Sequence, residues 1–142
     1  MNILRHILTI SLFTIVLSAC QPAGGQHETN STSETSVGML QHTVYFYLKD
    51  DVTPEEREQF ETGLKKLLEI PEIHRSELGI PAKTAEREVT DHSFAYSIYT
   101  WFESMDDYEG YDKHPDHTMF IETYNHLWAD VKVYDADIID GR

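Results

Sequence analysis

The clearest indication of the fold is the segment Gln41 to Lys49, which runs Gln-His-Thr-Val-Tyr-Phe-Tyr-Leu-Lys. Alternation with a period of two, together with β-branched and aromatic residues, is typical of a β-strand. The two faces of this strand differ in chemistry. One face carries His42, Val44, Phe46 and Leu48, and the other carries Thr43, Tyr45 and Tyr47.

The residues after this strand predict a helix. Thr53 suits the N-cap, Pro54 the first helical position, and Glu56 completes a capping box. Pro71 closes the segment. The buried stripe is expected to be Phe60, Leu64, Leu67 and Leu68.

The remaining segments complete a β-α-β-β-α-α-β order. This order predicts an α+β, ferredoxin-like fold: a four-stranded antiparallel sheet with helices on one face. A weakly patterned strand is predicted at 73–80, a loop at 81–92 and a strand at 94–102. A short helix is predicted from Ser104 and a last strand at 131–138. Between them, a longer helix is predicted from Pro115, with apolar residues at helical spacing: Phe120, Tyr124, Leu127 and Trp128.

The sheet is expected to be apolar on both faces. Tyr134 and Ile138 share the face of Tyr45 and Tyr47 if Asp135 points the other way. Helices cover only one face, so two sheets packed face to face, as a homodimeric α+β barrel, would cover the other. The alternative is a tyrosine-rich face left in contact with water.

The N-terminus predicts export and lipidation. Residues 1–19 combine a basic start, an apolar run too short to span a bilayer, and small residues before Cys20, as a signal peptide does. Leu17-Ser18-Ala19-Cys20 resembles the lipobox of bacterial lipoproteins, which implies a lipid anchor on Cys20. The alternatives are a secreted protein with a spare thiol and a buried core cysteine.

The composition limits the partners. Residues 20–38 are polar and small and predict a flexible tether, followed by one domain over residues 39–142. A net charge of −14 argues against nucleic acid as a partner and makes the lipid, not a basic patch, the membrane anchor. Gln21, where an inner-membrane lipoprotein would carry Asp, favours an outer membrane facing the periplasm in a host with two membranes.

The candidate chemistry gathers around five residues. Pro115 begins a helix, which places His117 in the first turn, where the helix dipole favours a neutral imidazole. His117 shares a helix face with Phe120, so we expect it to point inward. Asp135 in the last strand is a candidate to orient His117 as a general base. His42, Tyr111 and His114 are the candidate substrate-binding residues.

Residues 40–138 resemble the stress-responsive A/B barrel (Dabb) family. The resemblance rests on Leu40 to Val44, Gly79, the strand 94–102 with Glu103-Ser104, the segment Tyr111-Asp112-Lys113-His114-Pro115-Asp116-His117, and Asp135. It implies a dimeric α+β barrel. By similarity to a plant polyketide cyclase of the family, it also implies His117 as general base paired with Asp135, and a pocket lined by His42 and Tyr111.

Three functions remain open at this stage. The first is a cofactor-free lyase or cyclase, and the second is a module that binds a small apolar or aromatic ligand without turnover. The third is a structural or stress-linked dimer. The alternative for Tyr111 and His114 is that they pack or cap the turn into the last helix, and the alternative for His42 is a hydrogen-bonded core histidine. No cofactor is expected, and no metal either, because His114-x-x-His117 lacks a recognisable set of further ligands.

Overall fold

The computed structural model describes residues 36–140. The predicted signal peptide, Cys20 and most of the predicted tether lie outside this range. Within it, the elements are β1 (Leu40–Leu48), α1 (Pro54–Leu67), β2 (Arg75–Gly79), β3 (Tyr96–Phe102), α2 (Met105–Asp112), α3 (Pro115–Tyr124), a 3-10 turn (Asn125–Leu127) and β4 (Trp128–Asp137).

The four strands form one antiparallel sheet in the order β2-β3-β1-β4. The ferredoxin-like prediction is therefore confirmed. The central strand β1 holds the site residue His42 opposite Thr100 on one side and Asp135 on the other. Directly opposed residues in a sheet project to the same face, so this register decides which side chains meet.

The capping prediction for α1 is confirmed in atomic detail. The Thr53 hydroxyl accepts from the backbone N–H of Glu56, while the Glu56 carboxylate accepts from the backbone N–H of Thr53. Pro54 stands at the start of the helix. These two bonds satisfy donors that a helix N-terminus otherwise leaves unpaired.

The core lies between the helices and one face of the sheet. Alternate residues of β1 and β3 face α1 and α3, as the period-two pattern predicted. The buried apolar residues include Val44, Phe46, Phe60, Leu64, Leu67, Tyr96, Ile98, Phe102 and Phe120.

Several predicted boundaries of strands and helices were wrong, among them that of the second strand, which spans Arg75–Gly79. The third strand begins at Tyr96, because Phe94 belongs to the preceding loop, where its ring packs against Tyr45. The last helix ends at Tyr124, so Leu127 lies in the 3-10 turn and Trp128 opens β4 instead of continuing the helix. Before β1, Gly38 donates its N–H to the Ile138 carbonyl, with a φ of 87° that suits glycine.

Among residues 36–140, no helix is long and apolar enough to cross a membrane.

Candidate functional site

A cavity of about 260 Å³ lies between the helix-covered face of the sheet and helices α2 and α3. Fourteen residues line it, and most of them are apolar. Its polar groups come from one strand and two helices. They are His42 of β1, Tyr108, Tyr111 and Asp112 of α2, and His117 of α3.

His42 is held by a carboxylate from the neighbouring strand. Its side chain is buried, and its Nδ1–H donates to Asp135 Oδ1 over 2.6 Å. The two residues are direct cross-strand partners, so the sheet register itself brings them together. Because Nδ1 is occupied by Asp135, the Nε2 atom is the nitrogen left for a ligand.

His117 is oriented by the main chain. Its Nδ1–H donates to the Asp112 carbonyl over 2.9 Å. A carbonyl only accepts, so Nδ1 carries the hydrogen and Nε2 of the neutral ring has a free lone pair. Within residues 36–140, Nε2 has no protein partner. His117 faces inward, as the helical spacing predicted, and its ring lies against that of Tyr111 with centroids 4.6 Å apart.

The predicted pairing of His117 with Asp135 is not formed. Asp135 is the partner of His42, and the Asp112 carbonyl takes the orienting place at His117. Asp135 is also not buried, since its side chain is 48% exposed. Asp135 lies on the edge strand β4, which pairs with β1 along one side and leaves its other side unpaired in the described sheet.

Tyr111 connects the two imidazoles. Its side chain is 1% exposed, and its ring centroid lies 5.9 Å from that of His42 and 4.6 Å from that of His117. Burial raises the pKa of the phenol well above its usual range, and the nearby Tyr108 and Asp112 add to the effect. Tyr111 is therefore a protonated hydrogen-bond donor at neutral pH.

His114 does not line the cavity. It is the N-cap of α3, and its Nδ1 accepts from the backbone N–H of Asp116 over 3.1 Å. The structure thus gives His114 the capping position, and the predicted substrate-binding role has no support in its placement.

Eleven of the fourteen lining residues were not predicted as site residues, and three of them show why. Tyr108 lies three positions before Tyr111 on the same helix, so the helical repeat was a signal that could have found it. Asp112 acts at His117 through its carbonyl, for which residue type gives no signal. Trp128 was assigned to the last helix, whereas it lies at the start of β4 beside Phe46 and Phe120.

No group of three or more His, Cys, Asp or Glu side chains in the described part of the chain is arranged to hold a metal ion. The polar groups of the cavity are two imidazoles, two phenols and Asp112, and the Asp135 carboxylate is hydrogen-bonded to one of the imidazoles. Such a set is suited to proton transfer and hydrogen bonding.

The family comparison agrees with this architecture. Residues 40–138 match the model of the Stress responsive A/B Barrel Domain, Dabb. The chain belongs to this family. Most of the described domain is covered by the match, including all four strands and every cavity residue.

Several solved structures share the fold. A dimeric ferredoxin-like protein of unknown function from Thermobifida fusca is 25% identical, with a TM-score of 0.57 over 70% of this chain and 91% of that one. A Dabb family protein from Mesorhizobium loti is 24% identical, with a TM-score of 0.57 over 70% and 95%. The hydroxynitrile lyase from Passiflora edulis is 17% identical, with a TM-score of 0.62 over 73% and 96%. No curated protein shows a significant match to the chain.

Proposed function

We propose that this Dabb protein binds a small apolar or aromatic ligand in the 260 Å³ cavity and transfers a proton on it without a cofactor, as a lyase or cyclase does. The observation that carries the proposal is the state of the two imidazoles. Each has its Nδ1 engaged by an acceptor, and each retains Nε2 beside a largely apolar cavity. Fixing one ring nitrogen so that the other meets substrate is the arrangement of a positioned general base.

His117 is the proposed base. Its hydrogen bond to the Asp112 carbonyl selects the tautomer with a free Nε2 lone pair, which is the form that accepts a proton. Tyr111, in contact with the His117 ring, is the proposed donor to a ligand oxygen or nitrogen. His42, held by Asp135, is proposed to position the ligand from the β1 side.

The size of the cavity limits the ligand. Its 260 Å³ equals the volume of about nine liquid water molecules at ~30 Å³ each, which fits one substituted aromatic ring. It lies slightly below the range of roughly 300–1,000 Å³ typical of drug-sized ligands. The proposed substrates are therefore single-ring or short-chain molecules.

The test is a screen of the purified chain against single-ring ketones, phenols and hydroxynitriles, with binding and turnover measured separately. We expect His117→Ala to lower turnover by roughly 10²–10⁴-fold, the usual share of a general base. His126→Ala, at an exposed position outside the cavity, is the matched control. Turnover that survives His117→Ala removes the base assignment, and binding without any turnover favours the non-catalytic binding module.

We further propose that the chain forms a homodimer through the face of the sheet opposite the helices. Tyr45, Tyr47, Tyr99 and Tyr134 surround a hollow of about 580 Å³ on this face. A contiguous aromatic surface of this kind is typical of protein interfaces. The related Thermobifida fusca structure is described as dimeric, which supports a homodimer.

Attachment to a membrane through Cys20 is proposed from the sequence of residues 1–20. Lipid on this residue would place the cavity outside the cytoplasm. The test is cell fractionation together with labelling by a radioactive fatty acid. We expect Cys20→Ser to abolish labelling and release the protein from the membrane fraction, and an unchanged distribution would contradict the anchor.

A further inference from the structure

The charged side chains at the cavity are acidic. None of its fourteen lining residues among positions 36–140 is Lys or Arg. Asp112 lines the cavity, and Asp135 stands directly behind His42, with its carboxylate 2.6 Å from the imidazole. Both carboxylates act on the same lining residue, because they raise the pKa of the Tyr108 phenol after the larger effect of burial.

Two lysines at the ends of α1 and α2 are engaged in ion pairs outside the cavity. Lys113 forms an ion pair with Glu109 at 2.8 Å, and Lys66 lies 3.4 Å from Asp116. Neither lysine lines the cavity. An anionic ligand would therefore give up its hydration without gaining a cationic partner.

The two imidazoles do not replace such a partner. In its neutral form, each ring has its N–H directed to Asp135 or to the Asp112 carbonyl, so Nε2 presents a lone pair to a ligand. A ligand carboxylate would meet these lone pairs and two carboxylates nearby. A hydroxyl or an ammonium group, in contrast, donates to the same atoms.

We infer that the cavity discriminates by charge: it accepts uncharged or cationic small ligands that donate hydrogen bonds and rejects carboxylate anions of the same size. The inference rests on the proposed ligand cavity and names the chemical class of its occupant. It identifies Asp112 and Asp135 as the specificity determinants. The surrounding protein reinforces the effect, because the whole chain carries a net charge of −14.

Three single-ring probes of nearly equal size test the inference: benzyl alcohol, benzylamine and benzoate. Dissociation constants are measured at low and at high salt on the purified chain, following the imidazole NMR signals of His42 and His117 so that binding is located in the cavity. We expect benzoate to bind at least about tenfold more weakly than the better of the other two, because its carboxylate would lose hydration without a cationic partner and would be repelled by Asp112 and Asp135. High salt should reduce the difference between the dissociation constants of benzoate and the better-binding probe.

Charge-removing variants identify the residues responsible. Asp112→Asn keeps the backbone carbonyl that holds His117, and together with Asp135→Asn it should raise benzoate affinity toward that of benzyl alcohol. Glu122→Gln is the matched control, because it removes one negative charge from an exposed position of α3 outside the cavity. It should leave the ratio of the dissociation constants unchanged.

The outcomes separate this inference from the proposed function. Benzoate binding at His117 as tightly as benzyl alcohol would overturn charge discrimination and leave the ligand cavity intact. An equal response to Glu122→Gln and Asp112→Asn would also overturn it, since the effect would then follow net charge alone. Failure of all three probes to perturb either imidazole would count against the cavity as a ligand site, and this inference would fall with it.

Discussion

Tyr111 is a buried phenol whose ring and hydroxyl have different tasks. The ring packs against Phe102 and His117, with centroids 5.2 and 4.6 Å away. The hydroxyl makes no hydrogen bond to another residue in the part of the chain that the structure describes. The ring should therefore carry the stability of this region, and the hydroxyl should be available to a ligand.

Two variants distinguish the contributions of the Tyr111 ring and of its hydroxyl to stability. Tyr111→Phe keeps every ring contact, so we expect the free energy of unfolding to change by less than about 1 kcal/mol. Tyr111→Ala empties a buried position and should cost roughly 3–5 kcal/mol. Urea unfolding of both variants measures the difference. A large loss with Tyr111→Phe would mean that the hydroxyl has a structural partner.

Residue patterns could predict which side chains face the site but not which of them touch. His42, His117 and Asp135 were all expected on the interior side, and His42 and His117 do line the cavity. The partner of Asp135 depends on the register between β1 and β4, which places His42 directly opposite. Register is set by sheet-wide packing, and no single residue encodes it.

Helices α1 and α3 make a close contact at Gly63. A β-carbon added there would lie 2.3 Å from Cε2 of Tyr124, well inside van der Waals contact. The Tyr124 ring is fixed in turn by Phe60 and Phe120, with centroids 5.6 and 5.2 Å away. The glycine therefore permits a helix–helix approach that any larger residue would obstruct.

Gly63→Ala tests this contact against helix propensity. Alanine should favour the helix by up to about 1 kcal/mol, whereas the displaced Tyr124 ring should cost roughly 1–3 kcal/mol. We expect a net destabilisation of about 1 kcal/mol in chemical denaturation. In a Tyr124→Ala background the clash is absent, so the same substitution should become stabilising. Equal effects in the two backgrounds would contradict the proposed contact.

Asp91 links the loop before β3 to the sheet through hydrogen bonds. Its carboxylate accepts from the backbone N–H and hydroxyl of Ser93 and from the Tyr47 hydroxyl, at 2.8, 2.6 and 2.8 Å. The Ser93 hydroxyl, the Ser93 N–H and then Tyr47 lower the pKa of Asp91 from 3.8 to about 2. A lowered carboxyl pKa stabilises the folded state above the unfolded pKa, and this contribution is lost as the pH falls toward 2.

Asp91→Asn should therefore lower the thermal midpoint at neutral pH, and the difference from the unmodified chain should shrink between about pH 4 and pH 2. Glu86→Gln removes the same charge from the same loop, where no hydrogen bond to Glu86 is seen within residues 36–140, and it should have little effect. Thermal unfolding across this pH range is the measurement. If the difference in thermal midpoint between Asp91→Asn and the unmodified chain does not change with pH, the charge of the carboxylate does not stabilise the loop.

At the level of elements, local signals predicted the starts of helices better than their ends. Thr53, Pro54 and Glu56 specify the start of α1 through bonds that lie within four residues of one another. The end of α3 has no comparable local signal, because Phe120, Tyr124, Leu127 and Trp128 continue a helical spacing. The chain leaves the helix at the 3-10 turn, where Lys49 donates its N–H to the Leu127 carbonyl. This long-range contact could not be predicted from the local sequence.

The whole molecule has one covered and one open sheet face. The covered face contains the cavity with His42 and His117, and the open face carries the tyrosines. On the open face, Tyr45 contacts Tyr99 and Tyr134 with centroids 6.3 and 6.1 Å apart. Tyr134 is nevertheless 59% exposed, so a large aromatic surface is left for a second copy. The proposed chemistry and the proposed association thus use opposite sides of the sheet.

A charged side chain introduced on the open face of the sheet should dissociate the proposed homodimer. An interface related by a twofold axis contains each substituted position twice, so Tyr134→Glu would remove two aromatic rings from the dimer interface and place two carboxylates there. Because both the lost apolar contact and the burial of charge oppose association, we expect the dimer to dissociate at least about 100-fold more readily. Analytical ultracentrifugation over a range of concentrations measures this. Met119→Glu, at a position of α3 that is 45% exposed on the helix side, adds the same charge and should leave the dimer intact. If Met119→Glu yields monomers while Tyr134→Glu does not, the copies associate through the helices, and the cavity beside α3 would then lie at the interface.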